Sequence, residues 1–136
     1  MAEVLIAEDD EDIAYIFQRL LRRAGHTVHH AADGLIALDL AERVRPSVVL
    51  TDLGMPRMDG LQLSQAIRAH PQLRDTPIAM LTGSLLPADP RAAATTICTV
   101  LLKPCDNDEL RAVIQQLADL GPHQHTGAPP SCPFQQ

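Results

Sequence analysis

The stretch "SVVLTDLGMPRMDG", residues 47–60, joins a run of apolar residues to a polar loop. Residues 48–50 are apolar without alternation, and Asp52 follows shortly after them. A short, unalternating apolar run is typical of a strand covered on both faces, as in a parallel sheet. Pro56 and Gly60 then bound a turn before the next helical pattern. The stretch therefore predicts a buried strand at 47–51 that leads into the carboxylate of Asp52.

Four other strand-sized apolar runs alternate with helical patterns. They are "VLIA" at 4–7, "TVHHA" at 27–31, "PIAML" at 77–81 and "TVLL" at 99–102. Five repeats of strand and helix imply right-handed crossovers and a parallel sheet with helices on both faces. The chain carries five helical patterns. The first contains Ile13, Ile16, Phe17, Leu20 and Leu21, the second Leu35, Leu38 and Val44, and the third Leu61, Leu63 and Ile67. A weaker fourth helix begins at Asp89 and Pro90, and a last helix, opened by Asp106 and Glu109 as a capping box, carries Leu110, Val113, Ile114, Leu117 and Leu120.

Length and composition predict one soluble domain. The chain has 136 residues, 46% of them hydrophobic, and a formal net charge of -6. An acidic balance argues against direct nucleic-acid binding, because phosphate backbones are held by clustered cations. No apolar run is long enough for a membrane span, and the N-terminus is not typical of a signal peptide, so a cytoplasmic location is expected. Three cysteines without metal-binding spacing, Cys98, Cys105 and Cys132, fit reduced thiols.

The composition changes near residue 121. "GPHQHTGAPPSCPFQQ" is rich in Pro, Gly and Gln and lacks periodicity. We therefore predict a folded domain over residues 1–120 and a flexible low-complexity tail over residues 121–136, too short to be an effector domain.

Polar residues follow four of the five predicted strands. Glu8 and Asp9 follow the first, Asp52 the third, Thr82 the fourth and Lys103 the fifth. In open α/β sheets the functional crevice lies beyond the carboxyl ends of the strands, so these side chains are expected to share one edge. Acids from neighbouring strands repel each other unless a cation lies between them, and carboxylate oxygens select a hard ion such as Mg²⁺. The histidines are interpreted as surface or packing residues, and Met55 and Met58 as packing residues.

Lys103 is the single lysine beside ten arginines. Two interpretations are open at this point: a chance surface lysine, or a site that needs a compact, freely rotating ammonium rather than a planar guanidinium.

Four stretches in this order, "VLIAEDDEDI", "VVLTDLGMPRMDG", "IAMLTGS" and "LLKPCD", resemble the receiver domain of two-component response regulators, and particularly its stand-alone, single-domain type. The resemblance covers residues 3 to about 120. It implies a doubly wound, flavodoxin-like (βα)5 fold with the strand order 2-1-3-4-5.

The resemblance also implies roles for single residues. Asp52 resembles the phosphoacceptor, while Thr82 and Lys103 resemble the residues that bind phosphoryl oxygens. Asp9 and Asp52 resemble direct Mg²⁺ ligands, Glu8 a ligand acting through water, and Gly54 a ligand through its carbonyl. Phosphoryl transfer needs little beyond an in-line nucleophile and neutralised charge, which agrees with this set.

The expected function is a phosphorelay response regulator that takes a phosphoryl group from a sensor histidine kinase or phosphotransfer protein and signals by conformational change. It would be no enzyme beyond its own phosphoryl transfer and slow autodephosphorylation. The resemblance implies an unidentified downstream protein and possible dimerisation through the fourth helix, fifth strand and fifth helix. Val100 replaces the aromatic residue that receivers often carry there, which affects signal output. A cis bond is expected between Lys103 and Pro104.

Other functions were weighed on the same residues. A haloacid-dehalogenase-like phosphatase needs a second acid two residues after its nucleophile, where Gly54 stands, and no Gly-rich nucleotide-binding motif or GxSxG elbow occurs. Two alternatives stay open: an interaction module with a receiver fold but no phosphate turnover, and the N-terminal part of a longer transcription regulator.

Overall fold

A computed structural model of the chain describes residues 2–55, 57–82, 99–102 and 106–120. These residues form a parallel sheet with the strand order β2-β1-β3-β4-β5, which confirms the predicted doubly wound fold. The elements are β1 (Glu3–Ala7), α1 (Glu11–Arg23), β2 (Thr27–Ala31), α2 (Gly34–Val44), β3 (Val48–Asp52), α3 (Gly60–Ala69), β4 (Ile78–Thr82), β5 (Thr99–Leu102) and α4 (Asn107–Leu120).

The apolar runs correspond closely to the observed strands. The run predicted at 47–51 and the run predicted at 77–81 each begin and end one residue later in the structure, as β3 and β4. The last predicted helix is α4. The helix predicted to begin at Asp89 and the tail from residue 121 lie outside the described residues.

Strands β1 to β4 each supply side chains to two helical layers. Along β1, Val4 and Ile6 belong to a core formed with α1 and α4, whereas Leu5 and Ala7 belong to a core formed with α2 and α3. This alternation follows from the two-residue period of a strand. Both faces of the sheet are therefore covered, as the unalternating apolar runs predicted.

Side-chain caps fix where three helices begin. Asp10 accepts hydrogen bonds from the N–H groups of Asp12 and Ile13 at the start of α1. Asp33 accepts one from Ile36 at the start of α2. Asp59 and Gln62 form a reciprocal capping box at the start of α3. Because each cap satisfies N–H groups that have no partner within the helix, the chain leaves each strand end and enters its helix at a defined residue.

Some residues with helical spacing do not face the core. In α1 the buried positions are Ala14, Phe17 and Leu21, whereas Ile16 is 52% exposed. Leu35 and Leu120, assigned to apolar helix faces on the same pattern, are also exposed. Periodicity identified the four helices that the structure describes, but it gave an apolar stripe wider than the contact area. The reason is that it cannot show where the covering sheet ends.

Among the described helices, none combines the length and the apolarity needed to cross a bilayer.

Candidate functional site

The strand order reverses between β1 and β3, which are neighbours at the centre of the sheet. Ala7 pairs with Thr51 in the parallel register. The next residues, Glu8 and Asp52, therefore lie side by side at the carboxyl edge. This is the position where a crevice forms in doubly wound sheets, because the chain turns to opposite sides from the two strands.

Three carboxylates meet at this edge. One ligand oxygen each from Glu8, Asp9 and Asp52 lies within 4.8 Å of the others. Glu8 is 2% exposed and Asp52 is 9% exposed, while Asp9 faces solvent. Two buried acids and one accessible acid, all oxygen donors, fit a hard divalent cation that keeps part of its water shell. The donor set therefore suits Mg²⁺ and does not suit a soft metal.

The backbone of Glu8 is held from β2 and its loop. The N–H of Glu8 donates to the carbonyl of Ala31 at 3.0 Å. Nε2 of His30 donates to the carbonyl of Glu8 at 2.9 Å, since a carbonyl oxygen can only accept. These contacts fix the residue that carries the most buried acid. His30 was interpreted from the sequence only as a surface or packing residue, and its polar contact with Glu8 was missed.

The backbone after Asp52 is fixed by β4 and α3. The N–H of Leu53 donates to the carbonyl of Leu81 at 3.0 Å, and the N–H of Gly60 donates to the carbonyl of Leu53 at 2.8 Å. A Cβ on Gly60 would lie 2.3 Å from the carbonyl oxygen of Asp52. Glycine is therefore required here because the start of α3 rests directly on the strand end.

An ion pair joins the loop after β3 to the start of α2. Nε of Arg57 donates to Oδ2 of Asp33 at 3.0 Å, and a second guanidinium nitrogen of Arg57 contacts the same oxygen. The hydrogen bond from the Ile36 N–H, followed by the bond from Arg57, holds the pKa of the Asp33 carboxyl below its ordinary value. No pattern in the sequence indicated the pairing of Asp33 with Arg57.

The remaining predicted site residues lie at the same edge where the structure describes them. Thr82 is the last residue of β4, the strand next to β3. Gly54 is exposed, two residues after Asp52. Val100 lies within β5, which ends at Leu102. Lys103 and the bond to Pro104 lie outside the described residues.

The sequence profile of the response regulator receiver domain matches residues 4–115. The chain therefore belongs to the response regulator receiver domains, which are the signalling domains of two-component systems.

Relatives and solved structures of several kinds share this domain. The chain is 32% identical over 129 residues to transcription factor SKN7 of Saccharomyces cerevisiae, covering 93% of this chain and 20% of that protein. It is 38% identical over 81 residues to the transcriptional regulatory protein SrrA of Staphylococcus aureus, covering 60% of this chain and 32% of that protein. The chain thus spans a fifth to about a third of the length of these curated relatives.

Two solved structures match over most of their length. The chemotaxis response regulator CheY4 of Vibrio cholerae has a TM-score of 0.80 at 34% identity, covering 86% of this chain and 98% of that one. The receiver domain of sensor histidine kinase PA1611 from Pseudomonas aeruginosa, solved with a magnesium ion coordinated in its active site cleft, has a TM-score of 0.79 at 31% identity, covering 87% and 98%.

Family membership defines the general activity. Receiver domains are phosphorylated by histidine kinases or phosphotransfer proteins and bind Mg²⁺ in an acidic pocket. The acidic cluster of this chain lies at the corresponding edge of the sheet, and a phosphoacceptor role fits it.

Proposed function

We propose that the chain accepts a phosphoryl group on Asp52 from a phosphohistidine donor and passes the signal on by a conformational change. The observation that carries this proposal is the meeting of Glu8, Asp9 and Asp52 within 4.8 Å at the carboxyl edge of a receiver fold. Neighbouring carboxylates repel each other in the absence of a cation, so their meeting favours a site that binds one.

Asp52 would act as the nucleophile. An oxygen of its carboxylate forms the new O–P bond while the P–N bond of the donor breaks and its electron pair returns to the imidazole. The backbone on either side of Asp52 is held by β4 and α3. Holding the nucleophile in one position reduces the entropy that the reaction has to lose.

The metal ligands would be Asp9 and Asp52 directly, Glu8 through water, and the carbonyl of Gly54. Bound Mg²⁺ would neutralise charge on the equatorial phosphoryl oxygens. The exposure of Asp9 supports this assignment, since a cation that exchanges with solvent needs an accessible ligand.

Thr82 and Lys103 would bind the phosphoryl oxygens from the other side. Thr82 ends the strand adjacent to the one that carries Asp52, and Lys103 follows the last residue of β5 directly in the chain. A hydroxyl and an ammonium are suited to this role, because each can donate a hydrogen bond to a phosphoryl oxygen.

The remaining assignments form part of the same proposal. The receiver domain occupies residues 1–120 and the low-complexity tail residues 121–136. The domain works in the cytoplasm, catalyses only its own phosphorylation and slow autodephosphorylation, and acts on a protein target without binding nucleic acid itself. Dimerisation would use the surface formed by the region before β5, β5 itself and α4.

A small phosphodonor with Mg²⁺ tests the central assignment. Intact-protein mass spectrometry should show the gain of one phosphoryl group in the wild type and no gain in Asp52→Asn. Asp59→Asn is the matched control: it removes another acid from the same loop region but retains an oxygen that can cap α3. It should be phosphorylated like the wild type.

The outcome also separates the alternatives. A wild-type chain that gains no phosphoryl group would be an interaction module with a receiver fold. A gain that persists in Asp52→Asn would place the phosphoacceptor elsewhere.

A further inference from the structure

We propose that Arg57 and Asp33 are positioning residues for magnesium binding, because their ion pair holds the loop that contains Gly54 against the start of α2. The inference rests on the proposed function, since it concerns a loop that supplies a magnesium ligand. Neither residue belongs to the acidic cluster. Both act through the backbone of the loop after β3, residues 53–59, here named the ligand loop.

Arg57 has a backbone conformation that side chains disfavour. Its φ angle is 67°, in the left-handed region that is readily adopted by glycine and rarely by other residues. A residue with a side chain stays in this region only where surrounding contacts compensate. The guanidinium of Arg57 makes such contacts, because two of its nitrogens bind one oxygen of Asp33.

Asp33 is a fixed anchor rather than a mobile surface acid. Its side chain is only 7% exposed, and its other carboxylate oxygen accepts the hydrogen bond from the N–H of Ile36 at 2.9 Å. Both oxygens are therefore engaged, one by the cap of α2 and one by Arg57. The lowered pKa of Asp33 agrees with a carboxylate held in its charged form.

The backbones on the two sides of this ion pair also touch. A Cβ on Gly34 would lie 2.4 Å from the carbonyl oxygen of Met58. The glycine lets the first turn of α2 approach the ligand loop next to Arg57. A larger residue at Gly34 would push the start of α2 away from the ligand loop. The close backbone approach and the ion pair therefore hold the same two segments together.

The ligand loop is thus held by two attachments. Gly60, just after the loop, rests on the carbonyl of Asp52, just before it, and the ion pair of Arg57 with Asp33 ties the loop to α2. Gly54 lies between Asp52 and Arg57, where a Cβ would meet no atom within 4 Å. Among the described residues other than the chain neighbours of Gly54, none packs against that position, so the two attachments of the loop determine where the carbonyl of Gly54 lies.

Magnesium titration by calorimetry tests the inference. Arg57→Gln removes the charge but keeps a long polar side chain, and Asp33→Asn removes the charge but keeps a capping oxygen. Each should weaken Mg²⁺ binding roughly tenfold, as loss of a group that orients a metal ligand does. The double variant should be no weaker than the single variants, because both changes remove one interaction.

Two further variants separate the ion pair from its surroundings. Arg43→Gln removes an exposed ion pair with Asp39 on the same helix and should keep wild-type affinity. Arg57→Gly accepts the left-handed conformation but lacks the guanidinium, and should lose affinity as Arg57→Gln does. Wild-type affinity in Arg57→Gly would overturn the proposal, because the backbone conformation alone would then position the loop.

Amide hydrogen exchange without Mg²⁺ supplies a second readout. Residues 53–55 should exchange faster in Arg57→Gln and Asp33→Asn than in the wild type and in Arg43→Gln. If both charge variants lose thermal stability but bind Mg²⁺ within about twofold of the wild type, the ion pair is merely structural and the proposal is wrong. A wild type that binds no Mg²⁺ at all would instead refute the proposed function, and the two failures are therefore distinguishable.

Discussion

Replacing Asp9 by Asn should stabilise the metal-free protein while weakening its magnesium site. The ligand oxygens of Glu8, Asp9 and Asp52 lie within 4.8 Å of one another. Two unit charges at that distance repel by about 0.9 kcal/mol in water and by about 3.5 kcal/mol at the effective dielectric constant near 20 that suits a protein surface. Because Asp9 is exposed, the repulsion energy calculated for water applies to its pair with Glu8 and to its pair with Asp52. We expect a gain of about 1–2 kcal/mol in the free energy of unfolding.

Denaturant titrations in a chelator measure this gain. It should shrink on going from about 0.1 M to about 1 M salt, because the Debye length falls from about 10 Å to about 3 Å. Adding Mg²⁺ at about ten times its dissociation constant should stabilise the wild type by about 1.4 kcal/mol and Asp9→Asn by clearly less.

Asp12→Asn is the matched control for this prediction. Asp12 is an exposed acid in the first turn of α1, outside the cluster. Its replacement should cost a few tenths of a kcal/mol, because an anion near a helix N-terminus is favourable. The electrostatic reasoning would be refuted if Asp9→Asn gave no gain in the chelator, or a gain that salt left unchanged.

Three further changes test other parts of the chain. Burial lowers the pKa of His26 from its ordinary value of 6.5, so the folded state disfavours protonation of the ring. The contribution of neutral His26 to stability should be fully present above that pH and be lost below it. Denaturant titrations between about pH 5 and about pH 7.5 should therefore show a weaker pH dependence of the free energy of unfolding in His26→Gln than in the wild type. Gly60→Ala places a Cβ 2.3 Å from a backbone oxygen and should lower the free energy of unfolding by about 1–3 kcal/mol. Gly54→Ala places its Cβ where no described atom beyond the chain neighbours lies within 4 Å, and should lower it by less than about 1 kcal/mol. Equal losses of stability in the two variants would contradict the close packing at Gly60. Lys103→Arg keeps the charge but should slow phosphorylation from a small donor, because a guanidinium is wider than an ammonium; equal rates would show that any cation suffices.

The strands and the place of the acidic edge could be predicted because both follow from short-range patterns. Residues 48–50 are apolar without a break, which indicates a strand covered on both faces, and the polar residue after such a strand must lie at the carboxyl edge. The proximity of Glu8 and Asp52 follows from the parallel order of β1 and β3.

The ion pair of Arg57 with Asp33 could not be predicted in this way. It depends on a left-handed φ angle at an arginine, which the residue type argues against, and on the approach of two loops that are distant in the sequence. The exposure of Ile16 was missed for a related reason. The helical spacing of Ile16 is that of a core residue. Only the position of α1 on the sheet shows that Ile16 lies outside the area where the helix contacts the sheet.

The alternation of β1 between two helical layers bears on how the chain tolerates insertions and deletions. Adding one residue within Glu3–Ala7 would send Val4 and Ile6 to the layer of Leu5 and Ala7, and the converse, because successive side chains point to opposite faces. The same shift would turn Glu8 outward and exchange it with Asp9. A change of length in β1 therefore disrupts the core and the acidic edge together.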